Sequence, residues 1–304
     1  MEQRRFPPVI LVAVVLAGLL LAPMEPARAQ AAEAAKTDSE GNGARLEAPP
    51  SPLKPVVLRY AYGVADLGTR DPHFAATTQD RAVADMLFNG LLRYQPGNAP
   101  SIEPDLAEEV PEPEIEKGKQ TWTFKLRKGV FFHPGPKTGP YELTADDVVY
   151  SFRKSADPQR SAYAGEYTGM NVEKVDPYTV RIVLEKPLSP LLFLPKVTDY
   201  SGGFIVSRKA VEIMGDEAFQ SHPIGTGPFM YESCTANDRV RLVANRGYFR
   251  GRPLLDAVEI VFLPDVADRE AAFKAGKVDC FWGKVEKAWI DRMEEEEGVK
   301  VDLH

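Results

Sequence analysis

The chain has 304 residues, 44% of them hydrophobic and 27% charged, which is the composition of a soluble protein with room for about two domains. Its net charge of -7 argues against the basic surface that binds nucleic acid, so we expect no nucleic-acid partner. An acidic balance favours solubility and identifies no ligand.

The amino-terminal segment has the three-part pattern of a secretory signal peptide. Arg4 and Arg5 precede an apolar run over 6–22, and Ala-Arg-Ala at 27–29 forms a small-x-small cleavage site. We predict that residues 1–29 are a signal peptide that is removed on export. The alternative is an uncleaved membrane anchor. The apolar run over 6–22 disfavours it, because the run is shorter than the ~20 apolar residues that a spanning helix needs.

Residues 30–55 separate this segment from the folded body. They are rich in Ala, Glu, Gly, Ser and Pro and have no apolar period, so we predict a disordered linker. The body begins near Val56. Its two cysteines, Cys234 and Cys280, either form one disulfide after export or remain as two buried thiols, and the sequence leaves both possibilities open.

Hydrophobic periodicity predicts a mixture of strands and helices along the body. Period-two patterns predict strands, in chain order, at 56–63, 121–126, 130–133, 176–184, 256–264, 278–282 and 299–304. Helical spacing with capping residues and glycine stops predicts helices at 77–90, 144–157, 207–215, 265–276 and 289–298. Single crossovers and hairpins occur together in this order, which indicates a mixed α/β fold and not a clean doubly wound sheet.

The stretch TWTFKLRKGVFFHPG, residues 121–135, alternates too regularly for a loop. Trp122, Phe124 and Leu126 fall on one face of a strand, and threonine and lysine fall on the other. An Arg-Lys-Gly turn follows, and the apolar residues after it can run back beside the first strand. We therefore predict a β-hairpin with Gly129 at its turn.

No residue pattern typical of a catalytic or metal site stands out. The four histidines have no metal-binding spacing, and neither HExxH nor GxSxG occurs. The Gly-Thr-Gly at 225–227 lacks the lysine of a phosphate loop, so we interpret it as a turn where the backbone passes close to a neighbour. We predict no enzyme activity, no catalytic residues, no metal site and no cofactor. The alternative is a secreted hydrolase with dispersed catalytic carboxylates, which requires acidic side chains to converge in one pocket.

Eight segments of the body occur in an order and spacing that resemble one known family. They are RDPH followed by DMLFNGLLRY, then IEPDLAEE, TWTFKLRKGVFFHPG, LTADDVVYSFRKSADP, VDPYTVRIVLEKP, PIGTGPFMYES, NRGYFRGRPLLDAVEIVFLPD and AAFKAGKVDCFW. The chain resembles the family 5 extracellular solute-binding proteins, the oligopeptide- and dipeptide-binding proteins of bacterial ABC transporters. The resemblance runs from about Val56 to the end of the chain.

The resemblance implies a mixed α/β, two-lobed fold of the class II periplasmic-binding-protein type. It assigns 56–96 and 187–304 to an incomplete first lobe and 97–186 to an insert domain of that lobe. It also implies that the second lobe is missing, so that the chain is the N-terminal portion of a receptor. The implied function is to capture a peptide-like solute in the periplasm, without covalent chemistry, and to deliver it to ABC permease subunits for import.

The resemblance places six residues beside the ligand, namely Ala76, Thr77, Thr78, Tyr163, Tyr200 and Trp282. The first three follow the RDPH turn, and the last follows VDCF. Aromatic side chains suit this role because they offer contact area at low entropic cost. Each position also has a purely structural interpretation, which is a helix cap for Thr77 or Thr78 and a core position for the aromatic residues.

Overall fold

The structure, a computed structural model, describes residues 9–12, 55–97 and 101–303. The predicted signal peptide (1–29) and linker (30–55) therefore lie outside the described residues, apart from 9–12 and Pro55. Among the residues described, no helix combines the length and apolar character needed to cross a membrane.

The described chain contains both strands and helices in a mixed order, as the mixed α/β prediction requires. The strands are β1 Val9–Val12, β2 Val57–Tyr62, β3 Leu92–Tyr94, β4 Ile102–Pro104, β5 Glu114–Glu116, β6 Lys119–Lys125, β7 Met170–Asp176, β8 Thr179–Leu184, β9 Phe229–Thr235, β10 Arg239–Ala244, β11 Ala257–Phe262, β12 Cys280–Phe281 and β13 Lys300–Leu303. The helices are α1 Thr78–Leu87, α2 Ala145–Ser155, α3 Ala164–Tyr167, α4 Pro190–Val197, α5 Arg208–Met214, α6 Asp216–Ser221, α7 Val266–Lys274 and α8 Lys287–Glu294. Short 3-10 turns occupy Pro72–Phe74 and Ser201–Gly203.

The main sheet has five strands in the order β12-β2-β11-β10-β9. Strand β2 lies parallel to both β11 and β12, whereas β10 is antiparallel to its two neighbours. A mixed sheet of this kind brings a strand from the beginning of the body between strands that come 200 residues later, as in the register Val57 with Ala257. The carboxyl ends of β2, β11 and β12 therefore meet at one edge.

A second sheet has the order β5-β6-β8-β7 and is antiparallel throughout. The predicted strand at 121–126 is confirmed as β6, and its apolar side chains are buried, with Trp122 1% exposed and Phe124 fully covered. The predicted hairpin is wrong. Strand β6 pairs with β5 and β8, while the segment after Gly129 forms only a single bridge from Phe131 to Glu142.

Aromatic packing joins the second sheet to helix α4 and joins helices α2 and α3 to each other. The Trp122 ring stacks on Phe193 of α4, with centroids 4.6 Å apart and an interplanar angle of 18°. Phe152 of α2 packs against Tyr167 of α3 at 5.9 Å. These rings belong to one continuous apolar core that also includes Tyr60 and Tyr62 of the main sheet, so the two sheets share their interior.

Local sequence signals fix the ends of several elements. Thr77 caps α1, because its Oγ1 accepts the backbone N–H of Asp80 at 3.1 Å, and Ser207 caps α5 in the same way. The turn at 225–227 approaches another backbone closely, as predicted. A side chain at Gly225 or Gly227 would overlap the Leu87 carbonyl group, so only glycine fits at these two positions.

The structure has no disulfide between the two cysteines, and only one of the two thiols is buried. Cys234 and Cys280 are both free thiols. Cys234 is partly exposed and Cys280 is buried in β12, where burial raises the pKa of its thiol. A neutral, buried thiol behaves as a small apolar side chain.

Candidate functional site

The carboxyl edge of the three parallel strands is one place where the fold can present side chains to a ligand, because ligands of open α/β sheets bind at that edge. Trp282 follows β12 there and is partly exposed. Its ring stands edge-on to Tyr62 at the end of β2, with centroids 6.4 Å apart. The Trp282 carbonyl is held by the guanidinium of Arg269, whose Nε donates to it at 2.8 Å.

The RDPH turn is anchored in the interior by a buried ion pair. Lys154 Nζ on α2 lies 2.8 Å from Asp71 Oδ2, and Asp71 Oδ1 accepts the backbone N–H of His73 at 3.0 Å. His73 Nε2 donates to the Phe204 carbonyl at 3.0 Å, which leaves His73 Nδ1 to accept from Lys154 at 3.3 Å. These contacts fix the backbone that leads to Ala75.

A cluster of Tyr163, Tyr200 and Arg81 forms around the Ala75 carbonyl, and we call it the tyrosine–arginine cluster. The Tyr163 hydroxyl donates to that carbonyl and accepts from Arg81 Nη2 at 3.3 Å. Arg81 Nε also donates to the Ala75 carbonyl at 3.4 Å. The Tyr200 ring stands edge-on to Tyr163, with centroids 5.2 Å apart and an interplanar angle of 68°.

The structure brings five of the six predicted ligand residues into this neighbourhood. Ala76, Thr77 and Thr78 are exposed and come directly after Ala75, and Thr77 is also the helix cap. Tyr163 is 8% exposed, and Tyr200 is partly exposed. The ring contact of Trp282 is with Tyr62, whose pKa is raised by burial and, to a smaller extent, by the charge of Asp85 on α1.

Sequence reasoning missed two charged residues on α1. Arg81 and Asp85 lie three and seven positions after Thr78, which places all three on one face of the helix. The available signal was this spacing. Burial, and then the charge of Asp199, raise the pKa of Asp85 well above its usual value, whereas Arg81 lowers it. Burial also raises the pKa of Asp199 to about 7, although the hydrogen bond that Asp199 accepts from the Tyr94 N–H at 3.1 Å lowers it.

This arrangement can bind a polar organic molecule through three kinds of contact. The tyrosine rings offer apolar faces, the Arg81 guanidinium offers N–H donors, and Asp85 is a carboxyl group that donates a hydrogen bond when it is protonated. Over residues 55–97 and 101–302 no three His, Cys, Asp or Glu side chains converge as metal ligands do. A separate cavity of about 420 Å³ is lined by Glu108, Arg127, Lys128, Val130 and Phe249 and contains no predicted ligand residue.

The profile of the bacterial extracellular solute-binding proteins, family 5 middle region, matches residues 101–302. The chain belongs to this family. Its members are binding proteins, so the resemblance in the sequence and the mixed α/β fold of the periplasmic binding proteins are both confirmed.

Named relatives bind different solutes. The chain is 32% identical to heme-binding protein A of Haemophilus influenzae over 72% of its length, and 34% identical to the dipeptide-binding protein of Escherichia coli over 68%. Among solved structures, the periplasmic binding protein MoaA from A. tumefaciens R10, in complex with mannopinic acid, is 40% identical over 79% of this chain with a TM-score of 0.72. The chain spans 42%, 40% and 47% of these three proteins, which is less than half of each.

Proposed function

We propose that the protein is a substrate-binding component of an ABC importer, which captures a peptide-like solute in the periplasm and delivers it to permease subunits. The observation that carries the proposal is the tyrosine–arginine cluster beside the exposed residues 76–78, in a chain whose family consists of solute-binding proteins. Capture needs only contacts that favour a closed, ligand-bound state and needs no covalent chemistry.

The solute is expected to be a small peptide or a similarly sized amino-acid derivative. Support comes from relatives named dipeptide-binding and di/tripeptide-binding proteins, at 34% and 31% identity. Backbone-type hydrogen bonds and aromatic surfaces recognise such molecules with low side-chain selectivity. Trp282 is proposed as a second contact, at the strand edge.

We further propose that the described residues supply one wall of the binding cleft. The first lobe would comprise 56–96 and 187–304, and the insert domain 97–186. The sheet order supports this division, because β2 and β9–β12 form one sheet and β5–β8 form the other. Because a cleft buries most of a small ligand between two walls, this wall alone is expected to bind in the roughly millimolar range.

A nitrogen-15 NMR titration of the 304-residue chain with the dipeptide Met-Leu tests the proposal, because NMR detects weak binding. We expect saturable shift changes at the amides of 76–78 and at the Trp282 indole. Tyr163→Ala should remove the changes at 76–78, and Tyr178→Ala, a tyrosine in the turn between β7 and β8, should leave them intact. The absence of any saturable change, or changes confined to the Glu108–Phe249 cavity, would contradict the proposal.

One observation favours the alternative of a secreted hydrolase. Asp85 and Asp199 are close enough for the charge of Asp199 to raise the pKa of Asp85, and a hydrolase requires acids that converge. A hydrolase would cleave Met-Leu into free methionine and leucine, which mass spectrometry detects after prolonged incubation. We expect the dipeptide to remain intact. If free methionine and leucine are released, and if Asp85→Asn abolishes that release, the alternative is established.

A further inference from the structure

Arg81 is a cation without an acidic partner at the centre of the candidate site. Across the described side chains, no carboxylate lies within ion-pair distance of its guanidinium, whereas most arginines of the fold, such as Arg59 with Asp279 at 2.8 Å, have such a partner. Its two hydrogen bonds, at 3.4 and 3.3 Å, exceed the usual range for N–H···O bonds. The guanidinium is therefore held only by two long hydrogen bonds, and much of its donor capacity is unused.

Neither of the two nearby acids forms an ion pair with Arg81. Glu166 accepts from the Tyr200 hydroxyl at 2.9 Å and from Lys196 Nζ at 3.2 Å. Asp85 lies one turn along α1 but forms no ion pair with Arg81; burial and then the charge of Asp199 raise the pKa of Asp85, while Arg81 lowers it. Arg81 therefore has no carboxylate at ion-pair distance among the described side chains, although its charge acts on Asp85.

The cluster also gives the guanidinium a preferred direction. Nε and Nη2 are engaged by the Ala75 carbonyl and the Tyr163 hydroxyl, and that hydroxyl is itself fixed by donating to Ala75. The planar guanidinium is suited to a carboxylate because its parallel N–H groups match the two oxygens. The exposed residues 76–78 border the same position.

We propose that Arg81 binds a carboxylate of the captured solute, so that the solute is an organic acid and its acid group lies against the tyrosine–arginine cluster. This inference rests on the proposed function, since it names the class of solute held at that site. The solved structure of MoaA, which is 40% identical to this chain, holds mannopinic acid, and mannopinic acid is an organic acid.

The test compares two probes that differ only in the acid group, Met-Leu and its carboxyl-terminal amide, by NMR titration of the full 304-residue chain. We expect the acid to bind about ten- to a hundredfold more tightly than the amide. Arg81→Gln should remove that preference while leaving the weak affinity for the amide, and Arg81→Lys should restore part of it. Arg181→Gln removes an equal charge from an exposed position on β8 and should keep the preference.

The outcomes separate the two proposals. If neither probe binds the unaltered chain, the proposed function fails and this inference fails with it. If both probes bind equally, or if Arg81→Gln retains the preference for the acid, only the inference about Arg81 fails. If Arg181→Gln lowers the preference as much as Arg81→Gln does, the effect is long-range charge and the direct contact is refuted.

Discussion

Lys154 Nζ lies 2.8 Å from Asp71 Oδ2, and neither side chain is exposed to solvent. Lys154 also donates to His73 Nδ1 at 3.3 Å and to the Arg160 carbonyl at 3.2 Å. Burial raises the pKa of Asp71 and lowers that of Lys154, while the attraction between the two opposes both shifts. The pair therefore holds the turn that leads to the candidate site, at the cost of desolvating two charges.

We expect Lys154→Met to lower the free energy of unfolding by about 3–5 kcal/mol, because it leaves the Asp71 carboxyl group buried without its partner. The double variant Lys154→Met/Asp71→Asn should lose less than the sum of the single variants, since it leaves no unpaired charge. Urea denaturation measures all three. Lys277→Met, at an exposed position, is the control and should stay within about 0.5 kcal/mol. Additive losses in the cycle would show that the pair contributes no coupling.

From the burial of the His133 imidazole we predict that the protein loses stability in mild acid. Its Nε2 donates to the Gly227 carbonyl at 2.9 Å, and burial lowers the pKa of the imidazole from 6.5 to about 4. Because the folded-state pKa is the lower one, the stabilisation is present above pH 6.5 and is lost as the pH falls towards 4. The loss is on the order of 1.4 kcal/mol per pH unit.

The measurement is the difference in unfolding free energy between the unaltered chain and His133→Gln, taken from pH 8 to pH 4. The difference should be constant above pH 6.5 and should fall below it. His73, whose pKa is also lowered by burial, is present in both proteins and cancels from the difference. A constant difference over the whole range would refute a neutral His133.

Elements with a strong period could be predicted from the sequence, and elements shaped by tertiary contacts could not. Strand β8 and helix α7 have clear apolar faces or caps and lie where the pattern places them. Helix α4 was missed because it contains Pro190 and Pro195, and proline usually argues against a helix. Pro190 is tolerated because it occupies the first helical position, directly after the cap. The hairpin was predicted wrongly because strand β6 prefers the distant β8, and sequence separation hides that pairing.

The candidate site could be predicted only in part for the same reason. Thr77 and Tyr163 were available from the family resemblance, but the hydrogen bond from Tyr163 to the Ala75 carbonyl joins positions 88 residues apart in the sequence. Arg81 looked like any exposed helical arginine. The role that we propose for it rests on the absence of an ion-pair partner among the described side chains, which only the three-dimensional arrangement reveals.

Gly227→Ala should destabilise the protein by about 1–3 kcal/mol, because the new methyl group overlaps the Leu87 backbone and forces the turn away from α1. Thermal unfolding followed by circular dichroism measures the loss. Gly139→Ala is the matched control, since a methyl group there meets no atom within 4 Å, and its effect should lie within about 0.5 kcal/mol. Equal effects of the two variants would show that the close approach at Gly227 is not limiting.

Tyr163→Phe should lower the free energy of unfolding by about 0.5–1.5 kcal/mol, because it removes the hydroxyl that donates to the Ala75 carbonyl and accepts from Arg81. The backbone amides of 76–78 should shift in the NMR spectrum as the preceding carbonyl loses its donor. Tyr178→Phe, in the turn between β7 and β8, should leave those three amides unchanged. Unshifted amides in Tyr163→Phe would mean that the hydroxyl does not hold the loop.

Asp199→Asn should become more favourable to stability as the pH rises. Burial raises the folded-state pKa of Asp199 to about 7, above the ordinary value of 3.8, so ionisation is easier in the unfolded chain. The contribution of Asp199 to stability is therefore present below pH 3.8 and declines, by on the order of 1.4 kcal/mol per pH unit, as the pH rises to about 7. The asparagine cannot ionise, yet it keeps an oxygen for the Tyr94 N–H. Denaturation from pH 4 to pH 8.5 measures the free energy of unfolding of both proteins. That of the unaltered chain should fall relative to that of the variant up to about pH 7 and should show no further relative change above it. The opposite slope would mean that Asp199 is ionised and stabilised in the fold.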